Sequence, residues 1–112
     1  MMPTLFIDPG SLNQELLLEE PLVSFGGVGD LHELWSEVSS LWAQLEHAGA
    51  GPRILGEQEL PEVTYRITFR YRPDISSTMR FRKGERVFRI LTLHDPDETG
   101  RYLVARVSEE VQ

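Results

Sequence analysis

The sequence predicts a single, mainly β domain, and three observations carry that reading. Val63–Tyr71 places an apolar or aromatic residue at every odd position and Thr or Arg at every even one, the alternation of a strand with one buried face. Met79–Lys83, Arg86–Leu93 and Tyr102–Val107 are further short apolar runs, separated by Gly84 and by Asp95–Gly100, so the second half reads as all β. The chain has 112 residues, 40% apolar and 26% charged, which suits one core and one domain rather than two.

Taken in order, Met1–Ser11 contains Pro3, Pro9 and Gly10 without a sustained period, and reads as a flexible arm preceding a domain over 12–112. Leu12, Leu16 and Leu18 share one strand face, with Asn13, Glu15 and Glu19 opposite, and Pro21 is expected to end that strand. The glycines of Phe25–Asp30 make a loop; a phosphate-binding glycine motif would need another glycine where His32 stands. Leu31, Leu34, Trp35, Val38, Leu41, Trp42 and Leu45 then recur at helical spacing, so periodicity alone predicts an amphipathic helix over Leu31–His47. A strand is the alternative, broken near Ser39–Ser40. Ala48–Glu62, with three glycines and two prolines, reads as a long exposed loop in which Arg53–Glu59 can form a short helix. Pro73 closes the strand at Val63–Tyr71, Gly84 marks a hairpin, and Asp95–Gly100 is a turn before the last strand and its acidic tail.

Composition excludes several chemistries. There is no cysteine, which removes disulfides, thiolate zinc sites and cysteine nucleophiles together. No apolar run approaches the roughly 18 to 20 residues of a membrane span, and the basic start and apolar stretch of a signal peptide are missing, so an intracellular protein is expected. Asp95-Pro96-Asp97-Glu98-Thr99-Gly100 imitates the opening of a calcium-binding loop. Arg106 stands where the closing bidentate glutamate belongs, and a plain turn is expected. His32-Glu33 opens a zinc-protease pattern that Ser36 breaks. His32, His47 and His94 are scattered, and Ser39–Ser40 and Ser76–Ser77 lack a nucleophile-elbow glycine pattern. No enzyme and no cofactor is expected. Trp35 and Trp42, at core-facing spacing, are expected to be buried.

The charge is uneven. Residues 1–62 hold eleven acids and the single base Arg53, whereas 63–112 hold seven acids and ten bases, -10 against +3 within a net -7. Eight bases lie between Arg66 and Arg89, interleaved with aromatics. Two readings follow: a sheet face or subunit contact, with Arg66, Arg70, Arg72, Arg80 and Arg82 as candidate interface residues, or a nucleic-acid-binding barrel using the same surface. The negative total disfavours general phosphate binding.

The order of several segments resembles the phage head-tail joining family, also called head-closure or stopper proteins. The matching stretches are Leu12-Asn13-Gln14-Glu15-Leu16-Leu17-Leu18-Glu19, Gly26-Gly27, Trp35 with Val38 and Leu41-Trp42-Ala43-Gln44-Leu45-Glu46, Val63 to Pro73, Met79-Arg80, Gly84 to Ile90, and Gly100-Arg101-Tyr102-Leu103. Similar proteins occur in tailed phages and in phage-like gene transfer agents. The resemblance implies a small antiparallel β-barrel or sandwich, in which the segment matching Val38–His47 is a strand, overriding the helical stripe. It implies a virion connector in the neck of a particle assembled in the bacterial host cytoplasm, with no cofactor and no membrane contact. Copies would form a ring, six or alternatively twelve, between a portal-adaptor ring on the head side and a tail terminator or tail tube protein. DNA would pass through without sequence-specific binding. The stretch matching Ala48–Glu62 would face the channel and can gate it, which makes Gly49, Gly51, Arg53, Glu57, Glu59 and Glu62 candidate channel residues. This chain departs from the usual polar, more helical insertion in its Ala48-Gly49-Ala50-Gly51-Pro52 start and in Pro61.

Overall fold

The computed structural model describes residues 7–26, 30–55 and 58–110, and within them the side chains of 7–22, 34–50 and 62–109. Six strands, β1 (Gln14–Gly26), β2 (Asp30–Leu55), β3 (Gln58–Arg70), β4 (Arg80–Lys83), β5 (Arg86–His94) and β6 (Tyr102–Glu110), close into an antiparallel barrel in the order β1-β2-β3-β6-β5-β4. The segment from Tyr71 to Met79 carries the chain from β3 to β4, and its Ile75 and Met79 pack against the core. One 3-10 turn, Pro9–Ser11, precedes β1; the Asp8 carboxylate caps it by accepting from the Gly10 N–H at 3.0 Å. Residues 1–6 of the expected arm lie outside the described residues.

The core follows from alternation. Leu16 and Leu18 of β1, Ala43 of β2, Ile67 and Phe69 of β3, Phe81 of β4, Phe88 and Ile90 of β5, and Leu103, Ala105 and Val107 of β6 all point inward and are buried. The Phe69 and Phe81 rings meet edge-on with centroids 5.5 Å apart, the geometry that aromatic quadrupoles favour. Between β4 and β5, Lys83 pairs with Arg86, so Gly84 and Glu85 form a two-residue turn. Gly84 has φ +62 while Glu85 stays on the negative side, the II′ pattern, which puts glycine first because a Cβ there is strained. In the expected turn at Asp95–Gly100, the Asp95 carboxylate accepts from the Asp97 and Gly100 N–H groups.

The helix that periodicity predicts over Leu31–His47 is not formed. β2 is continuous strand from Asp30, pairing with β1 over residues 30–43 and with β3 over 43–55. The misleading period has a local cause. Leu18 faces Ser39 and Glu19 faces Glu37, so Val38 is an extra residue, a β-bulge, on β2. A bulge turns the usual two-residue spacing of inward side chains into three, and Val38 and Leu41 both pack on the core. Energetically the choice is one-sided: helix propensity separates ordinary residues by at most about 0.7 kcal/mol each. A helix here would strip β1 and β3 of their shared partner and forfeit two ladders of hydrogen bonds, each bond worth about 1 kcal/mol.

Three further expectations are corrected. Pro21 does not end β1, which pairs onward to Gly26; the β4 partner stops at Glu19, so beyond it one edge of β1 is open and a missing N–H leaves no ladder bond unmade. Ala48–Glu62 is not a long loop with a short helix, because β2 runs to Leu55 and β3 starts at Gln58, paired from Leu55–Gln58 back to Gly49–Thr64. Pro52 and Pro61 face each other in that ribbon. Neither has an N–H to exchange, so the pair fits a non-hydrogen-bonded rung and does not interrupt the ladder. Trp42 is 57% exposed rather than buried, since strand alternation from Ala43 turns it outward, while Trp35 is half-buried.

The two ends of β2 thus make two ribbons that extend from the barrel wall, the second sharing Glu62–Thr64 with the pairing to β6. Arm 1 is β1 from Glu20 to Gly26 paired with β2 from Asp30 to Ser36; arm 2 is β2 from Gly49 to Leu55 paired with β3 from Gln58 to Thr64. A straight strand of 26 residues would run about 86 Å, yet the molecule's longest dimension is 52 Å. β2 must bend. Bulges at Val38 and at Ala48, the latter extra between the His47–Tyr65 and Gly49–Thr64 pairs, are placed where each arm leaves the barrel.

Candidate assembly surfaces

Ion pairs lie at the base of each arm. At the base of arm 1, Glu19 points outward by alternation yet is only 5% exposed, because β4 brings two arginines over it. Arg80 Nε donates to its Oε1 at 2.8 Å and Arg82 Nη1 lies 3.4 Å from its Oε2. The Arg80 guanidinium lies 4.0 Å from the centre of the Trp35 ring, a cation–π contact that joins β4 to β2 across β1. At the base of arm 2, Arg86 grips Glu109 with two hydrogen bonds of 2.7 and 3.1 Å and donates to the Tyr65 hydroxyl at 3.3 Å. These bonds hold the Glu109 carboxyl below its ordinary value and raise Arg86. The Tyr65 ring stands edge-on to both His47 and Phe88, at 5.6 and 5.5 Å.

The candidate interface arginines do not form one continuous basic face. Arg66 and Arg70 are exposed on the outer side of β3, as alternation requires. Arg72 is engaged bidentately by Asp74, whose carboxyl is lowered by it, and Arg80 and Arg82 share Glu19. With Arg86 on Glu109, half of the basic run already holds carboxylates of its own chain. That weakens the nucleic-acid reading, which needs free cations along a strip. Sequence spacing does not announce the pairings of Glu19 and Glu109, which lie 61 positions from Arg80 and 23 from Arg86. A charged residue on an otherwise leucine-rich strand was the one available signal.

The candidate channel residues fall on arm 2. Gly49 pairs with Thr64, whose Oγ1 donates to the Gly49 carbonyl at 3.3 Å; Gly51 pairs with Glu62, Arg53 with Leu60, and Glu59 with Ile54. Glu57 lies outside the described residues. Among the described residues no three His, Asp or Glu side chains converge as a metal site would require, and no helix is long and apolar enough to cross a membrane. A recess of about 710 Å³ lies on the outer face of β2, β3 and β6, with Arg66, Arg106, His94 and Val104 among its lining residues.

A small closed barrel with two ribbon arms and ion pairs at their bases has the build of a structural assembly subunit. The chain belongs to the phage head completion protein family, whose profile matches residues 7–110, and this makes it a structural protein of phage-like particles. A chain in the solved virion of a native gene transfer agent particle is 31% identical, superposes with a TM-score of 0.74, and is covered over 94% of its length by 88% of this chain. Protein SF1141 from Shigella flexneri 2a, at 23% identity and a TM-score of 0.65 over 92% of this chain and 96% of that one, shares the fold. A search of curated protein sequences returned no match.

Proposed function

We propose that this chain is the head-closure subunit of a phage or gene transfer agent particle. Copies of it form a ring, of six rather than twelve, between the portal-adaptor ring and the tail terminator or tail tube, retain packaged DNA and offer the tail a docking face. The observation that carries this reading is the family match across residues 7–110, supported by the 31% identical chain in a gene transfer agent virion. Physically, a conduit for sliding DNA gains from weak phosphate contact, and the net charge of -7 with arginines engaged internally suits it.

Arm 2 is the channel element of this reading. A paired ribbon obstructs a channel by its bulk, and Glu57, Glu59 and Glu62 repel phosphate without reading sequence. Gly49 and Gly51 beside the Ala48 bulge would supply a hinge at its base. Replacing Arg53–Glu59 by a short Gly-Ser linker removes the ribbon tip and none of the core residues. Barrel folding and ring assembly should survive, while nuclease-protected DNA per purified head falls. Full protection with normal tail attachment would remove the gate from arm 2. Imaging of particles tests the ring itself: neck density without a ring of this barrel would overturn the whole reading.

A further inference from the structure

Arm 1 carries an apolar face with nothing from the described chain over it. Alternation along β1 puts Glu20 and Leu22 on the same side as the buried Leu16 and Leu18, and the register sets Leu34 directly opposite Leu22. The core face therefore continues out of the barrel, and there the two leucines are 48% and 54% exposed. A single exposed leucine is ordinary, but a facing pair that extends a core face is surface prepared for a partner. The same arm is acidic: residues 20–36 hold Glu20, Asp30 and Glu33 and no Lys or Arg, and Glu20 is on the face of Leu22 and Leu34.

The recess on the outer face of β2, β3 and β6 is its complement. One rung across it reads Glu46, Arg66, Arg106, Thr92, and the next reads Gln44, Thr68, Val104, His94. Arg66 and Arg106 face each other on adjacent strands, both exposed, and no ion pair among the described residues engages either. Like charges at one rung repel, so the pair is placed at a cost that an incoming carboxylate would relieve. Beside them Ile7, Pro96 and Val104 give the recess apolar surface, and Val104 and Thr68 are buried although they lie on outward positions.

We propose that arm 1 of one copy seats in this recess of the next copy, an inference that rests on the ring reading above. Leu22 and Leu34 cover Val104, Ile7 and Pro96, and Glu20 on the same face meets Arg66 and Arg106. Two different surfaces of one chain are joined, which makes the contact heterologous and lets it repeat around a ring. The occupant is a second copy rather than DNA, because Ile7, Pro96 and Val104 give the recess apolar surface that leucines cover and a phosphate backbone does not.

The absence of cysteine makes the test direct. In Leu34→Cys/Ala48→Cys the new thiols lie on one continuous strand, about 46 Å apart along it, too far to join within a chain. Mild oxidation of assembled particles should yield a ladder of covalent dimers, trimers and larger species, and each single variant none. Independently, Arg66→Glu/Arg106→Glu should lower the copies incorporated per particle by about tenfold, and adding Glu20→Arg should restore at least half of them, with circular dichroism confirming that the barrel folds. A ring visible in images but no ladder and no charge rescue would overturn this contact and leave the ring standing. Absence of any ring would overturn both. Salt-sensitive binding of a labelled duplex of about 30 base pairs that is abolished by Arg66→Glu/Arg106→Glu would assign the recess to DNA and overturn the proposal as well.

Discussion

Replacing Glu19 by Ala removes the acid that joins β1 to β4 at the base of arm 1. The loss is worked from geometry. Glu19 is almost fully buried and accepts from Arg80 at 2.8 Å, while the Arg80 and Arg82 side chains retain 19% and 46% of their exposure. Breaking a fully buried ion pair costs about 3–5 kcal/mol, mainly by stranding the remaining charge. Partial access to water discounts that here, as does the Trp35 ring, which still faces Arg80, so about 3 kcal/mol is expected. A two-state domain of 112 residues has an unfolding entropy of roughly 0.24 kcal/mol/K, which converts the loss to a drop of about 13 °C in Tm. Glu19→Gln keeps one acceptor for Arg80 Nε and should cost about half as much. Urea unfolding at pH 7 measures both, and a cycle with Arg80→Ala isolates the pair; the double variant should be less destabilised than the sum by about 1 kcal/mol or more. Hydrogen exchange in residues 20–26 and 30–37 should accelerate ahead of the barrel. An unfolding free energy for Glu19→Ala within about 0.5 kcal/mol of the parent would refute the view that this acid anchors the arm.

Trp42→Ala should change stability by less than about 0.5 kcal/mol, since the ring is 57% exposed, whereas Phe81→Ala, at 0% exposure, should cost about 3–5 kcal/mol by leaving a cavity; thermal melts of the two compare them directly. Deleting Val38 should leave a folded barrel, because removing the bulge residue brings Glu37 and Ser39 into regular opposition with Glu19 and Leu18. Deleting Leu41 reverses the facing of every residue on one side of it and should abolish folding, as circular dichroism would show. The folded-state carboxyl of Glu109 titrates below its unfolded value of 4.5 because Arg86 hydrogen-bonds to it. Its contribution is therefore complete above that pH and is lost as the pH falls through the lower folded value. Glu109→Gln should show a shallower acid limb in stability against pH between neutrality and pH 3, and an unchanged limb would place the acid sensitivity elsewhere.

What the sequence determined by itself was everything set by the local pleat. Val63–Tyr71 alternates because one face of β3 lines the core, and Gly84 marks a turn because its φ of +62 penalises a Cβ; both demands act within a few residues and leave a readable pattern. The class of protein was legible too, through the order of matched segments rather than any one of them. The tertiary structure alone decided the state of β2, where bulges at Val38 and Ala48 disturb the period and pairing with two neighbours outweighs a helical stripe. It also decided that 48–62 is a ribbon, because ladder partners there are supplied by β3 and leave little trace in a glycine- and proline-rich sequence. The pairing of Glu19 with Arg80, of Glu109 with Arg86, and the meeting of Arg66 with Arg106 are products of barrel closure. Coulomb and hydrogen-bond energies depend on distance in space, and residues tens of positions apart acquire a distance only when the last strand closes the ring of six.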